Sequence, residues 1–317
     1  MDDTFYIKNF VDTQFEITPD DIDHEKIAGD FMRKVQEEMD DQRFERLLTI
    51  SGFIPDLYPS DSSEETLFSK MVECLVAEWA RRMGFRSEII KQKASYEDVK
   101  IAIDGQIVVC DAKSFRLGRS QAAPNAKDFL KLEDIRKWMD RYTSSIGGLV
   151  TYPCKHEWTK GSDIYQYCST SDAPTVMLPY KYLSYLLHHK GAFGVNSLTR
   201  LWDYKRIFPD KLSKTMSGGN KMPYWEKIDA EIVSITGTSK KVLNAYMDAA
   251  GALIADCVDK NIAFLQNERR KTVDRIIEDV NKVNDIAQLR AQLQEYMVQT
   301  QTKEVDQMLE RIVEFRT

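Results

Sequence analysis

Three observations place the chain in the α/β class. An amphipathic helix is predicted over 64–83, a β-hairpin over 98–115 closes on Asp104-Gly105, and only helical periodicity appears from 225 to 317. Together they predict a small mixed β-sheet flanked by helices, plus a helical C-terminal region.

The elements follow in order. Thr18-Pro19-Asp20-Asp21 is a cap, a proline and acids, the signature of a helix start. Residues 25–48 carry Ile27, Phe31, Val35, Met39, Phe44 and Leu47 at three- and four-residue spacing, and Pro55 and Pro59 end that run. Asp61-Ser62-Ser63 caps the next helix. Its stripe is Leu67, Phe68, Met71, Val72, Leu75, Val76, Trp79 and Met83, and Gly84 is its stop signal. Strands are predicted over 98–104 and 106–115, joined by a preferred two-residue turn. A helix over 127–142, strands at 148–152 and 175–178, and a helix over 180–189 complete a core of residues 61–190. Residues 1–60 form an N-terminal helical segment. Residues 191–317 are rich in loops and then helical, a region suited to DNA contact, dimerisation or both.

Composition narrows the classes of function. The 317 residues are 43% hydrophobic and 30% charged, as in a soluble globular enzyme. No apolar run approaches the roughly 20 residues that span a bilayer, so no membrane partner is expected. The opening MDDTFYIKNF lacks a basic region and an apolar region, so no secretory signal is expected. Five widely spaced cysteines read as reduced thiols in a cytoplasm. The net charge of −6 is unevenly distributed. Residues 112–141 hold eight basic and four acidic residues, and 190–221 hold seven and two. Such stretches suit a phosphate-binding surface, and on charge alone they suit solvated faces as well. Cys154, His156 and Cys168 match no standard zinc spacing, and Ser217–Lys221 lacks the strand that precedes a phosphate loop.

The hairpin carries the chemistry. With Asp104 and Gly105 at the turn, pairing outward puts Asp98 across from Asp111, and Lys113 shares the face of Asp111. Opposed carboxylates repel unless a cation joins them. Mg²⁺ favours one or two carboxylates completed by water and phosphate oxygens. A nearby ammonium suits the charge of metal-assisted phosphodiester hydrolysis. The competing explanation is a solvated hairpin face, where ion pairs contribute only ~0–1 kcal/mol. Val108, Val109 and Cys110 run apolar into Asp111, which favours a strand buried on both faces and a use for its terminal charges.

The pattern Asp98-x12-Asp111-x-Lys113 resembles the PD-(D/E)xK motif of restriction-endonuclease-like nucleases, with Glu97 where the namesake has proline. CDAKSFRLGR (110–119), KDF (127–129), SEETLFSK (63–70), GFIP (52–55) and, more faintly, Leu201-Trp202 resemble the HindIII-type type II restriction endonucleases. The likeness is strong over 52–130 and thin to 205. It implies a restriction-endonuclease-like core and a homodimer that cuts double-stranded DNA at a short palindrome with Mg²⁺, in a bacterial or archaeal cytoplasm. Asp98 and Asp111 would be metal ligands, Lys113 the catalytic lysine, and Glu65 a further carboxylate on the preceding helix. Cleavage would leave 5′-phosphate and 3′-hydroxyl ends, at AAGCTT if specificity is inherited too. Ser114, Arg116, Arg119, Asn125, Lys127 and Asp128 form the candidate DNA-binding set. Arg116 and Arg119 suit phosphates, and Asn125, Lys127 and Asp128 suit base edges. The rivals are a structure-specific repair or recombination nuclease and a non-catalytic DNA-binding module on the same fold.

Overall fold

Helices lead the chain: α1 (Tyr6–Ile17), α2 (His24–Glu38) and α3 (Asp41–Ile50). The computed structural model describes residues 3–17, 23–90, 96–118, 123–153, 158, 162, 164, 168, 171–207, 223–282 and 285–313. The expected start at Thr18–Asp21 lies outside them, as do Cys154, His156 and Ser217–Lys221. The run expected over 25–48 is two helices. Met39 is extended, and the Asp40 carboxylate accepts the Arg43 N–H at 2.8 Å, which caps a new start.

Strand β1 (Phe53–Ile54) precedes α4 (Ser63–Arg82). Ser62 Oγ accepts the Glu65 N–H at 3.2 Å to begin that helix, and Gly84 in a left-handed conformation (φ 88°) ends it. Strands β2 (Arg86–Ile89), β3 (Val99–Ile103), β4 (Gln106–Ala112) and β5 (Phe115–Arg116) follow. Next come α5 (Ala126–Phe129), α6 (Leu132–Met139), β6 (Ser145–Tyr152), β7 (Thr175–Pro179) and α7 (Tyr180–His188). The helix expected over 127–142 is therefore split at Leu130–Lys131.

Five strands form one sheet in the order β2-β3-β4-β6-β7. The first three are antiparallel neighbours, while β4, β6 and β7 run parallel. The sheet is thus mixed, as expected. The β3–β4 register is Val99 with Cys110 through Ile103 with Gln106, about a turn where Asp104 and Gly105 both have positive φ. From Ile107 to Ala112 every residue of β4 is buried, as a central strand covered on both faces must be. A second, two-stranded sheet pairs β1 with β5 in parallel. Trp79 Nε1 of α4 donates to Leu183 O of α7 at 2.8 Å, tying the two helices together.

Beyond α7 lie short 3₁₀ segments, α8 (Tyr204–Ile207), α9 (Pro223–Thr236), α10 (Lys240–Asn281) and α11 (Ile286–Val313). The chain divides into two compact units, Met1–Val258 and Asp259–Thr317. In the second, Val273, Ile276, Ile277, Val280, Leu289 and Leu293 are exposed. Among the described residues no helix is long and apolar enough to cross a membrane, and Cys74, Cys110, Cys168 and Cys257 are buried and in no disulfide.

Candidate active site

Asp98 immediately precedes β3. Its N–H donates to Cys110 O at 3.0 Å and its carbonyl accepts the Ile90 N–H at 3.0 Å, which places it between the ends of β2 and β4. The side chain turns toward β4, where Oδ2 accepts the Ala112 N–H at 2.8 Å. Asp111 faces Val150 on the other side of β4, and the Lys113 N–H continues that ladder to Thr151 O at 2.8 Å. Lys113 Nζ lies 2.6 Å from Asp111 Oδ2. Asp111 Oδ2 is buried, and apart from that ion pair it meets no hydrogen-bond partner among the described residues.

Charge accumulates here. Burial first, the Asp111 charge second and Glu73 third push the Asp98 carboxyl well above the usual carboxylate range, against the pull of the Ala112 N–H and Lys113. Burial and the charges of Asp98, Asp111 and Glu73 also push the Cys110 thiol up, so it stays protonated. Two carboxylates held this close, one of them already drawing an ammonium to 2.6 Å, fit a divalent cation that needs few protein ligands. Among the described residues no group of three His, Cys, Asp or Glu is placed to hold a metal, so water and substrate oxygens would complete the shell.

A cleft of about 370 Å³ opens beside Asp98, lined by Glu65, Ser69 and Glu73 at four-residue spacing on α4. The sequence-based set omits Glu73, which Lys70 Nζ contacts at 2.5 Å while also donating to Ile90 O at 3.2 Å. Its place eight residues after Glu65, two helical steps of four along the same face, was its signal. Glu65 lies at the same cleft, yet its carboxylate accepts the Asp61 N–H at 2.8 Å and pairs with Arg116 at 2.8 Å. It closes the start of α4 as well as facing the cleft. Glu97, which stands at the proline position of the motif, is fully buried, with Tyr142 donating to it at 2.5 Å and Arg141 at 3.5 Å.

The candidate DNA residues separate. Arg116 donates to the carbonyls of Pro55, Tyr58 and Pro59 at 3.3, 2.7 and 3.2 Å, so its guanidinium fastens the 55–59 loop to α4. Ser114 Oγ is buried with no hydrogen-bond partner among the described residues. Asn125 caps α5, accepting the Lys127 N–H at 3.0 Å, and Asn125, Lys127 and Asp128 are all exposed in the same short turn. Arg119 lies outside the described residues. In the second basic stretch, Arg200 and Arg206 both hold the buried Glu231, at 2.5 and 2.7 Å. Those charges are used within the fold, in keeping with the plainer reading of that stretch.

Comparison with known proteins gives the family. A family model described as HindIII restriction endonuclease matches residues 21–299. The type II restriction enzyme HindIII of Haemophilus influenzae (strain ATCC 51907 / DSM 11121 / KW20 / Rd) is 24% identical over 245 residues, covering 74% of this chain and 78% of that protein. The match spans the hairpin, the helix that faces it and most of the helical C-terminal region, and so the chain belongs to the HindIII restriction endonuclease family.

Proposed function

We propose that this type II restriction endonuclease hydrolyses phosphodiester bonds of double-stranded DNA at a short palindrome, with Asp98 and Asp111 holding Mg²⁺ and Lys113 beside them. The palindrome proposed is AAGCTT, the products carry 5′-phosphates, and the working form is a cytoplasmic homodimer with one site per strand. The observation that carries the reading is the meeting of Asp98, Asp111 and Lys113 at one end of β4, with Asp98 pinned by the Ala112 N–H.

Mg²⁺, when bound, would supply positive charge to the scissile phosphate and to the attacking water. The chain supplies the rest. The Ala112 N–H fixes one oxygen of Asp98, a residue that lines the cleft. Lys113 Nζ pairs with Asp111 at 2.6 Å, and an ammonium has three donors, which leaves others for an oxygen of the phosphate as negative charge builds there. Attack on phosphorus from the side opposite the 3′-oxygen breaks the P–O3′ bond and leaves the phosphate on the 5′ end. Asn125, Lys127 and Asp128 are the proposed base-reading residues. Arg119 is proposed for a phosphate.

The test is incubation of the protein with a plasmid of known sequence, with Mg²⁺ or with EDTA, alongside Asp111→Asn and Lys113→Ala. Discrete Mg²⁺-dependent fragments that disappear in both variants, with duplex binding retained, support the reading. Full activity in either variant overturns the site. Structure-specific nicking would favour the repair nuclease, and inertness in every divalent metal the binding module. Sedimentation at twice the 36.7 kDa chain mass checks the dimer.

A further inference from the structure

A lysine side chain is a flexible four-carbon stem, and its ammonium is only as well placed as the backbone that carries it. Lys113 follows the last residue of β4, where the chain leaves the five-stranded sheet for the β1–β5 pair. Its backbone is held on both sides of the residue. The Lys113 N–H donates to Thr151 O at 2.8 Å, and its carbonyl accepts the Tyr180 hydroxyl at 2.8 Å. Two residues on, the Phe115 N–H donates to Gly52 O at 2.8 Å.

Tyr180 is fully buried and is the first residue of α7, directly after β7, so the sheet itself aims its ring. Gly52 lies against that ring: a Cβ there would stand 2.7 Å from Tyr180 Cε2 and 3.3 Å from Lys113 O. A buried phenol needs an acceptor of some kind, and any nearby carbonyl would satisfy that need. The acceptor here belongs to the residue whose side chain reaches Asp111.

We propose that Tyr180 is a positioning residue for Lys113, its hydroxyl fixing the peptide from which the ammonium is aimed at the Asp98–Asp111 pair. The inference rests on the role of Lys113 proposed above. Without the hydroxyl the Lys113 main chain is held by one bond fewer, so its Cα, and Nζ with it, can shift.

The test compares Tyr180→Phe with Tyr185→Phe, which loses an equally buried phenol of the same helix bonded instead to Thr238 at 2.7 Å. Duplex affinity is measured in EDTA and cleavage in single turnover with Mg²⁺, on DNA carrying the site mapped from the plasmid digest. Both are run at a temperature below the onset of melting of every variant. The expected result for Tyr180→Phe is an unchanged Kd and a cleavage rate reduced on the order of 10–100-fold, the scale of a misplacement of up to ~1 Å. Tyr185→Phe should keep both values. Wild-type cleavage by Tyr180→Phe, or an equal slowing in Tyr185→Phe, overturns the proposal. Lys113→Ala in the same assay separates the two failures. If it is inactive while Tyr180→Phe is normal, only the positioning role is lost, and if it is fully active, the site assignment itself fails.

Discussion

The Asp98 carboxylate accepts the Ala112 N–H at 2.8 Å, so the residue before one strand of the hairpin grips the backbone of the other just past Asp111. The grip orients Asp98 and also confines it next to a second carboxylate. Buried beside each other, with Lys113 as counter-ion, the two carboxylates still resist ionising together, and burial and the Asp111 charge raise the carboxyl of Asp98.

A pH-dependent instability of the metal-free protein follows. Because the folded value is raised, the stabilising contribution is full below the unfolded Asp value of about 3.9 and is lost as pH rises through the folded value. Asp98→Asn retains an oxygen to accept the Ala112 N–H and removes the charge. In EDTA its Tm should match wild type in acid and exceed it by a few degrees, on the order of 2–4 °C, at neutral pH, while cleavage is lost. Mg²⁺ should raise the melting temperature of wild type and not of the variant. Parallel melting curves with no widening gap between acid and neutral pH would contradict this account.

Arg116 and Glu65 should behave as one structural unit. Each is about one-fifth exposed, and their 2.8 Å contact joins the 55–59 loop to the start of α4. A double-mutant cycle of Arg116→Ala and Glu65→Ala, read by urea unfolding, should give a coupling of about 1 kcal/mol. Additive losses would mean that the two act independently.

DNA binding should distinguish Arg116 from Lys127. The Arg116 guanidinium is committed to backbone carbonyls and Glu65, so Arg116→Ala should leave the salt slope of duplex binding unchanged. Lys127 sits in the first turn of α5 with its backbone N–H capped by Asn125, and Lys127→Ala should weaken binding. If Lys127 meets a phosphate and not a base, that slope falls by roughly one. A reduced slope for Arg116→Ala would return it to the DNA surface.

Gly52 occupies a left-handed conformation (φ 83°) with Pro153 Cγ and Tyr180 Cε2 each 2.7 Å from the position of a Cβ. Gly52→Ala should destabilise the protein by about 2–4 kcal/mol, combining backbone strain with overpacking. Urea midpoints measure the loss, and a Gly52→Ala variant as stable as wild type would show that the crossing beside Lys113 is plastic.

Much of this site was legible before any coordinates. The Asp104-Gly105 turn sets the register of its hairpin, and the apolar Val108–Cys110 run marks β4 as covered on both faces. Local rules suffice there because the relevant partners are a few residues apart. Where the partner is distant they fail. Arg116 reads as a phosphate ligand in a basic stretch, and only the approach of carbonyls some sixty residues earlier in the chain shows its guanidinium to be occupied. The two-residue strands β1 and β5 are too short to show a period. Tyr180 is another apolar-looking start of a helix until its hydroxyl is seen at Lys113 O, 67 residues away in sequence. The break at Met39 was readable in principle, since Asp40 is a strong cap. The helical spacing on either side of it hid the stop.

The hairpin turn has one more consequence, for handling the molecule in solution. Asp104 and Gly105 are exposed at the end of β3 opposite Asp98. Five residues of strand at ~3.3 Å each separate them from the carboxylates, a span of roughly 17 Å. A fluorophore or short tag grafted at that tip would ride on a rigid strand leading to the reacting centre without crowding it, making the turn a natural handle for watching the enzyme meet DNA.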